Sequence, residues 1–345
     1  IAGAVADPLG SKPFPVILGG DETRVFYATN LGDVRLNFPG PTNDVVFPGL
    51  LGPSNLYRFQ QSPRERELLQ PLIPAGTYTG LATDGRYVAM LRVLDLAEYR
   101  LSVEVLDLAT RQTRVLFDPT VEPEYSPAPF GLKVDGGRVT FLLTPVRRGP
   151  ELLRVVDMTG AETALEIEAD RIGPFVLRGD DLAFVLQDEG EAAALLLRDL
   201  STGEELVIDA AIRVSYAGEV RLVSSPNRIV WAQPDGAGHW RISAYDLATG
   251  LTTVIAESAG GLLAGATDSH VITEEIVEPQ GNSAARIRVI RYDASGRSQK
   301  LAEFRADGLA GQTTVLGGRA AWVNPDREIV LAPVAGGDRT AFRPF

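Results

Sequence analysis

A phrase of turn residues recurs down this chain, and it limits the possible folds more than any other feature. It reads Asp107-Leu-Ala-Thr-Arg, Asp157-Met-Thr-Gly, Asp199-Leu-Ser-Thr-Gly, Asp246-Leu-Ala-Thr-Gly and Asp293-Ala-Ser-Gly. Each copy follows one apolar, β-branched run and precedes another, at intervals of 50, 42, 47 and 47 residues. A period of this size marks a repeat architecture, in which each unit packs on its neighbours. A chain of 345 residues therefore need not divide into separate cores.

A second marker precedes each phrase: a short strand with a large side chain at its fourth position. The set is Asp44-Val-Val-Phe47, Tyr87-Val-Ala-Met90, Arg138-Val-Thr-Phe141, Asp181-Leu-Ala-Phe184, Arg228-Ile-Val-Trp231, His270-Val-Ile-Thr273 and Arg319-Ala-Ala-Trp322. Seven anchors imply seven units. Turn residues divide a unit into four strands, as in Val220–Leu222, Asn227–Gln233, Trp240–Asp246 and Thr252–Ala256. Pro63–Gln70 and Glu189–Leu197 have helix-forming composition but stand where the repeat demands strands, so extended structure is expected there.

Four short antiparallel strands repeated seven times predict an all-β chain folded as a single β-propeller of seven four-stranded blades, with six or eight as alternatives because the first 40 residues fit the period poorly. Residues 44–345 form the propeller in this reading, and residues 1–43 an N-terminal extension. Phe14–Leu18 or Arg24–Ala28 is expected to pair into the final blade as a closing strand, since an open ring would expose apolar faces.

The phrase Asp-Leu-Ala/Ser-Thr-Gly followed by an aliphatic strand resembles the TolB-like or WD40-like propeller repeat of bacterial proteins, over about residues 44–345. It departs from true WD40 repeats, because no Trp-Asp dipeptide or Gly-His pair stands at the corresponding places. The resemblance implies a fold and no particular activity. Backbone chemistry alone accounts for the phrase. Asp accepts N–H groups two residues on, Thr or Ser assists, and Gly supplies the positive φ that closes the turn. Where Arg111 replaces Gly, a wider turn is expected.

Composition excludes several functions. A net charge of −12 with no basic block disfavours nucleic acid and anionic lipid. No apolar run reaches the roughly 18 residues of a membrane helix, so direct membrane insertion is not expected. Without cysteine there is no thiolate metal site, thiol nucleophile or disulfide, and two histidines cannot form a multi-histidine metal centre. No Gly-x-Ser-x-Gly elbow, phosphate-cradling loop or EF-hand occurs, so no cofactor is expected. The chain begins at Ile1 and its methionines are Met90 and Met158. Either processing of a longer chain or its trimming would leave such a start; removal of a signal peptide is the favoured reading, and an exported location, periplasmic or at the cell surface, is expected.

Candidate binding residues lie in loops between second and third strands and in one connection between units, which share one face of a propeller. They are Glu122 and Glu124 in Asp118–Pro127, Arg147 and Arg148 in Pro145–Pro150, Asp235, His239 and Trp240 in Gln233–Trp240, and Asp326 and Arg327 in Asn324–Arg327. Asp188 and Glu189 extend this rim. His270 opens a second strand in a variable slot and reads as structural. Arg178-Gly-Asp180 reads as a tight turn. Two function classes fit: a non-catalytic, exported scaffold or assembly subunit that binds a protein partner or a surface polymer, or a carbohydrate-active lyase or hydrolase working from the loop-bearing face. The first is preferred on the missing nucleophile and metal motifs.

Overall fold

The structure, a computed structural model, describes residues 14–20, 24–30, 34–36, 45–47, 50–51, 55–61, 64–68, 77–95, 100–160, 162–188, 192–212, 220–235, 239–277, 286–305 and 313–343. All regular structure in them is β-strand. The N-terminal strands are β1 (Phe14–Gly20), β2 (Arg24–Asn30), β3 (Val34–Leu36), β4 (Val45–Phe47), β5 (Leu50–Leu51), β6 (Asn55–Gln61) and β7 (Arg64–Leu68). Of these, β1-β2-β6-β7 form one four-stranded antiparallel sheet and β3-β4 a two-stranded one.

Next come β8 (Thr77–Thr83), β9 (Tyr87–Asp95), β10 (Arg100–Asp107) and β11 (Gln112–Phe117), a sheet to which β5 adds a fifth, short strand against β8. The third sheet is β12 (Tyr125–Asp135), β13 (Arg138–Pro145), β14 (Glu151–Asp157) and β15 (Glu162–Ala169). The fourth is β16 (Arg171–Arg178), β17 (Asp181–Gln187), β18 (Ala193–Asp199) and β19 (Glu205–Ile212). The fifth is β20 (Arg221–Ser225), β21 (Arg228–Pro234), β22 (Trp240–Asp246) and β23 (Thr252–Ala259). The last two are β24 (Leu262–Ala266), β25 (His270–Val277), β26 (Arg286–Asp293), β27 (Ser298–Arg305), and β28 (Thr314–Leu316), β29 (Arg319–Val323), β30 (Ile329–Pro333), β31 (Thr340–Phe342). From β8 onward every sheet runs its strands in chain order, the meander of a propeller blade.

The chain divides into two compact units, residues 1–167 and 168–345. In the first, Ala89, Leu91, Val103 and Val105 of one sheet pack against Leu132, Val139 and Phe141 of the next. In the second, Val185 and Leu195 meet Leu222, Ile229 and Trp231, while Val230 and Ile242 point the other way, to Leu263 and Val271. Ile272 and Val289 continue the series against Ala320 and Trp322. Each central strand is thus buried on both faces, which is why these strands read as continuous apolar runs rather than alternating ones. The anchors Met90, Phe141, Phe184, Trp231, Thr273 and Trp322 are all buried. Truncating an aromatic anchor to Ala removes about 3–5 kcal/mol of stability.

The recurring phrase closes the turn between third and fourth strands, as its chemistry requires. Asp246 Oδ1 accepts the N–H groups of Ala248 (3.1 Å) and Thr249 (2.9 Å) and the Thr249 hydroxyl (3.0 Å). Asp199 repeats this with Ser201 and Thr202, and Asp293 with Ser295. In four of the five turns the residue after the Asp ties the turn to the neighbouring hairpin. Leu108, Met158, Leu200 and Leu247 donate N–H to the carbonyls of Arg86, Gly137, Asp180 and Asn227, just before the start of the second strand. The turn Asp also stands across from the first anchor residue, as in Asp157–Arg138, Asp246–Arg228 and Asp293–His270.

The turn at Arg111 is not wider than its counterparts, contrary to expectation. Arg111 N–H reaches Asp107 O at 2.7 Å, as Gly250 reaches Asp246 O at 2.8 Å. Arg111 takes the left-handed conformation itself, at φ 61°, close to the 70° of Gly250. Val45–Phe47 also departs from expectation: it is no second strand of a four-stranded sheet but pairs with β3 (Asp44 lies outside the described residues). The anchor strand of the first sheet is β2, with Tyr27 fully buried at the fourth position. In turn, β1 and β2 pair with each other and β2 with β6, completing their own sheet. The expected pairing of an early strand into the last sheet is not among the pairings of the described residues. The two segments of helix-forming composition hold strands β7 and β18, and Gly179, at φ 55°, makes the tight turn expected of Arg178-Gly-Asp180.

Candidate functional site

Loops between second and third strands lie at the opposite end of the strands from the Asp turns, together with the connections from one sheet to the next. In the first unit the Asp118 connection and the hairpin at 145–150 meet there, joined by Val146 N–H to Glu124 O at 2.8 Å. Asp118 caps the connection by accepting Thr120 N–H (2.8 Å) and its hydroxyl (2.7 Å). Glu122 is committed. Its two carboxylate oxygens accept Arg154 Nη1 (2.9 Å) and Nη2 (2.8 Å), while Arg154 Nε donates to Glu166 at 2.7 Å. Arg154 is 9% exposed and lies over the Phe141 ring. The Glu122 hydrogen bond, with Glu166 behind it, holds its pKa above the usual arginine value. Bidentate charge-assisted bonds of this kind fix geometry as well as charge. Glu122 therefore clamps a loop and is not a free acid or base. Glu124, Arg147 and Arg148 are exposed.

In the second unit the loop after β21 is closed by Asp235 N–H to His239 O (2.9 Å) and by His239 N–H to Asp235 Oδ1 (3.0 Å). The other carboxylate oxygen of Asp235 faces His239 Nδ1 at 3.8 Å and accepts the Ser258 hydroxyl at 3.5 Å. His239 is 53% exposed. Trp240 follows directly, half-buried, with the Arg221 guanidinium 6.0 Å from the centre of its ring. An imidazole–carboxylate pair and an indole–guanidinium pair thus stand at consecutive residues, His239 and Trp240, at the loop end of β22. Such a set can take a proton, stack on a sugar ring and attract a carboxylate. Sequence reasoning reaches Asp235, His239 and Trp240 but misses Arg221. Its only signal is its place on the neighbouring first strand, level with the end of β21.

The remaining candidates are spread more widely. Asp326 is exposed and Arg327 half-buried in the loop after β29. Asp188 is exposed, and Glu189 lies outside the described residues. His270 is half-buried at the start of β25, its Nδ1 2.8 Å from the Ser269 hydroxyl; burial, with Arg291 adding to it, pulls its pKa down against the opposing pull of Asp293. The carboxylates of Glu274 and Glu275 diverge as strand alternation predicts: Glu274 is buried and accepts Thr313 N–H at 3.0 Å, whereas Glu275 faces Arg288 at 3.5 Å. A cleft of about 350 Å³ in the first unit, lined by Arg86, Tyr87, Asp107, Gln112 and Arg114, lies at the turn end. Its Arg86 lies over Tyr87 and 3.6 Å from Asp107. No group of three or more His, Asp or Glu side chains that could hold a metal ion occurs among the described residues.

No family model matches the sequence, and no curated protein does. Solved structures do match. Oligogalacturonate lyase from Vibrio parahaemolyticus aligns with a TM-score of 0.58 at 12% identity, over 92% of this chain and 89% of that one. The β-propeller domain of the Trilobed protease from Pyrococcus furiosus gives 0.57 at 12%, over 95% of each chain. An acylaminoacyl peptidase from Pyrococcus horikoshii gives 0.58 at 12%, over 97% of this chain and 53% of that one. The chain spans about half the length of the acylaminoacyl peptidases it matches. Likeness at such identity speaks for the fold alone. In its sheets, their order and their face-to-face packing, the chain is built as β-propeller proteins of the TolB-like and WD40-like kind are.

Proposed function

We propose that this protein acts on an acidic polysaccharide, as a lyase, from the corner formed by Asp235, His239, Trp240 and Arg221. The observation that carries this reading is the pairing of a half-exposed imidazole with the Asp235 carboxylate beside an indole and a guanidinium. Trp240 offers its face to a uronate ring, and Arg221 draws the ring's carboxylate. His239 takes the proton from the carbon next to that carboxylate, and Asp235 stabilises the imidazolium that results. The electron pair left behind forms a carbon–carbon double bond and expels the glycosidic oxygen, so the chain breaks without water. That a solved structure aligned over nearly its whole length is an oligogalacturonate lyase adds support. The reading takes the seven larger sheets as blades of one propeller. It also places the protein outside the cytoplasm, where such polymers lie.

A second reading, a non-catalytic scaffold, is favoured by one observation: Val121 and Val146, 75% and 63% exposed, stand on the two joined loops of the first unit beside Arg147 and Arg148. Such a mixed apolar and cationic surface suits a protein partner. Incubation with polygalacturonate separates the readings. The lyase reading expects an ultraviolet-absorbing unsaturated product that falls at least 100-fold in His239→Ala while calorimetric binding persists. Binding without product leaves the scaffold; neither binding nor product overturns the polysaccharide reading altogether.

A further inference from the structure

The loop 324–328 between β29 and β30 holds an arginine in an unusual state. Arg327 adopts φ 61°, a conformation that costs a side-chain-bearing residue on the order of 1 kcal/mol and that Gly or Asn fills more readily. Its N–H donates to Asn324 O at 2.9 Å, which closes the turn and needs nothing from the side chain. The guanidinium Nη1 is buried with no hydrogen-bond partner. Buried donors of this kind are nearly always paired, and a charged one more so.

The neighbouring acids do not answer it. Glu328 accepts Asn324 Nδ2 at 3.1 Å and Arg343 Nε at 3.2 Å, and its own N–H donates to Asn324 Oδ1 at 2.8 Å. The side-chain bonds, that of Asn324 first, hold the Glu328 carboxyl below its ordinary pKa, so it stays charged and turned to other partners. Asp326 is exposed to solvent. Arg111 provides the contrast. It has the same φ, but its side chain is exposed, so water satisfies its guanidinium. At Arg111 the strained backbone carries a solvent-exposed side chain, whereas Arg327 combines strain with a buried, unpartnered Nη1.

We propose that the 324–328 loop is a carboxylate-binding site, with the Arg327 guanidinium as its cation and a mono-carboxylate, free or on a sugar acid, as its ligand. The planar fork of a guanidinium matches a carboxylate's two oxygens. Asp326 and Glu328 already give the loop negative charge, which disfavours a dianion such as phosphate. Carboxylate binding lets Nη1 turn outward and gain the acceptor it lacks. The site stands apart from the His239 corner in the chain and does not depend on the lyase reading.

Thermal melting at constant ionic strength tests this with three probes: acetate, galacturonate and inorganic phosphate, against chloride. Wild type is expected to gain about 2–4 °C in Tm with either carboxylate near saturation and less with phosphate. Arg327→Gly, compared with its parent in a Trp240→Ala background so that the His239 corner takes no uronate, suits the backbone angle, so it should fold with a Tm no lower than that parent and lose the carboxylate response. Arg327→Lys keeps the charge without the fork and should retain only a small part of it. A response to galacturonate alone assigns the ligand to sugar acids; a response to both assigns it to carboxylates at large. An equal carboxylate response in Arg327→Gly, no response in wild type, or a stronger response to phosphate would each overturn the proposal.

Discussion

The two ends of the strands use the same residue types in opposite ways. At the turn end, Asp157, Asp199, Asp246 and Asp293 spend their carboxylates on their own backbone and on a Ser or Thr two or three residues on. At the loop end, Asp235 uses one oxygen on a backbone N–H, while the other accepts the Ser258 hydroxyl and faces an imidazole. The arginines run the other way. Arg111 in a turn is left to solvent, whereas Arg154 beneath a loop is enclosed by two glutamates. The aspartates of the recurring turns are satisfied within the turn, whereas the loops differ from sheet to sheet in which side chains they tie down.

The largest expected effect that sharpens this contrast is at Arg154. Arg154→Met keeps the packing over Phe141 but removes three charge-assisted bonds, and should cost about 3 kcal/mol in denaturant unfolding. Ala at Arg147 or Arg148 should stay within about 0.5 kcal/mol of wild type. A cost at Arg154 no greater than at those exposed arginines would erase the distinction between a clamped and a free part of the same loop end.

The turn end should betray itself in acid. The hydrogen bonds from Thr159, Ser201 and Ser295 side chains and from Thr249 N–H hold Asp157, Asp199, Asp293 and Asp246 below the ordinary aspartate value. A depressed folded-state pKa means that the stabilisation is fully present above the unfolded value, about 3.9, and is lost as pH falls through the folded one. Tm should therefore hold steady down to about pH 5 and fall steeply below about pH 4. Replacing the four aspartates by Asn should flatten that fall; an unchanged acid limb would show that the turns are not its source.

The smallest effect is at Arg111. Gly relieves the strained φ, so Arg111→Gly should raise stability by about 1 kcal/mol despite the added freedom of the unfolded chain. A loss of stability would mean that the arginine side chain holds the turn through a contact its exposure does not reveal.

Much of the fold is legible in the sequence, for physical reasons. Six anchors, from Met90 to Trp322, stand out because a strand buried on both faces must be apolar throughout, and the period makes it recur. The turn phrase is legible because Asp, Thr and Gly each have a backbone role. The first sheet is misread from spacing because the 24 residues 31–54, carrying β3 to β5, stand between β2 and β6 and break the period. Arg24-Val-Phe-Tyr27 has the anchor pattern, but its distance to Tyr87 does not fit, whereas Val45–Phe47 fits by spacing alone. The candidate site is half legible. His239 stands out as one of two histidines, but nothing in the sequence sets Arg221 over Trp240. Nothing in Asn-Pro-Asp-Arg announces a left-handed arginine either.

Under the proposed function, ligand binding resides at the loop end and only folding at the turn end. Calorimetric titration of polygalacturonate into wild type, Trp240→Ala and Asp246→Ala, with a melting curve for each, tests it on two ends of one strand, β22. Trp240→Ala should lose affinity at least tenfold, and Asp246→Ala should show a lower Tm with affinity unchanged. Unchanged affinity in Trp240→Ala, or its loss in a folded Asp246→Ala, would contradict the claim.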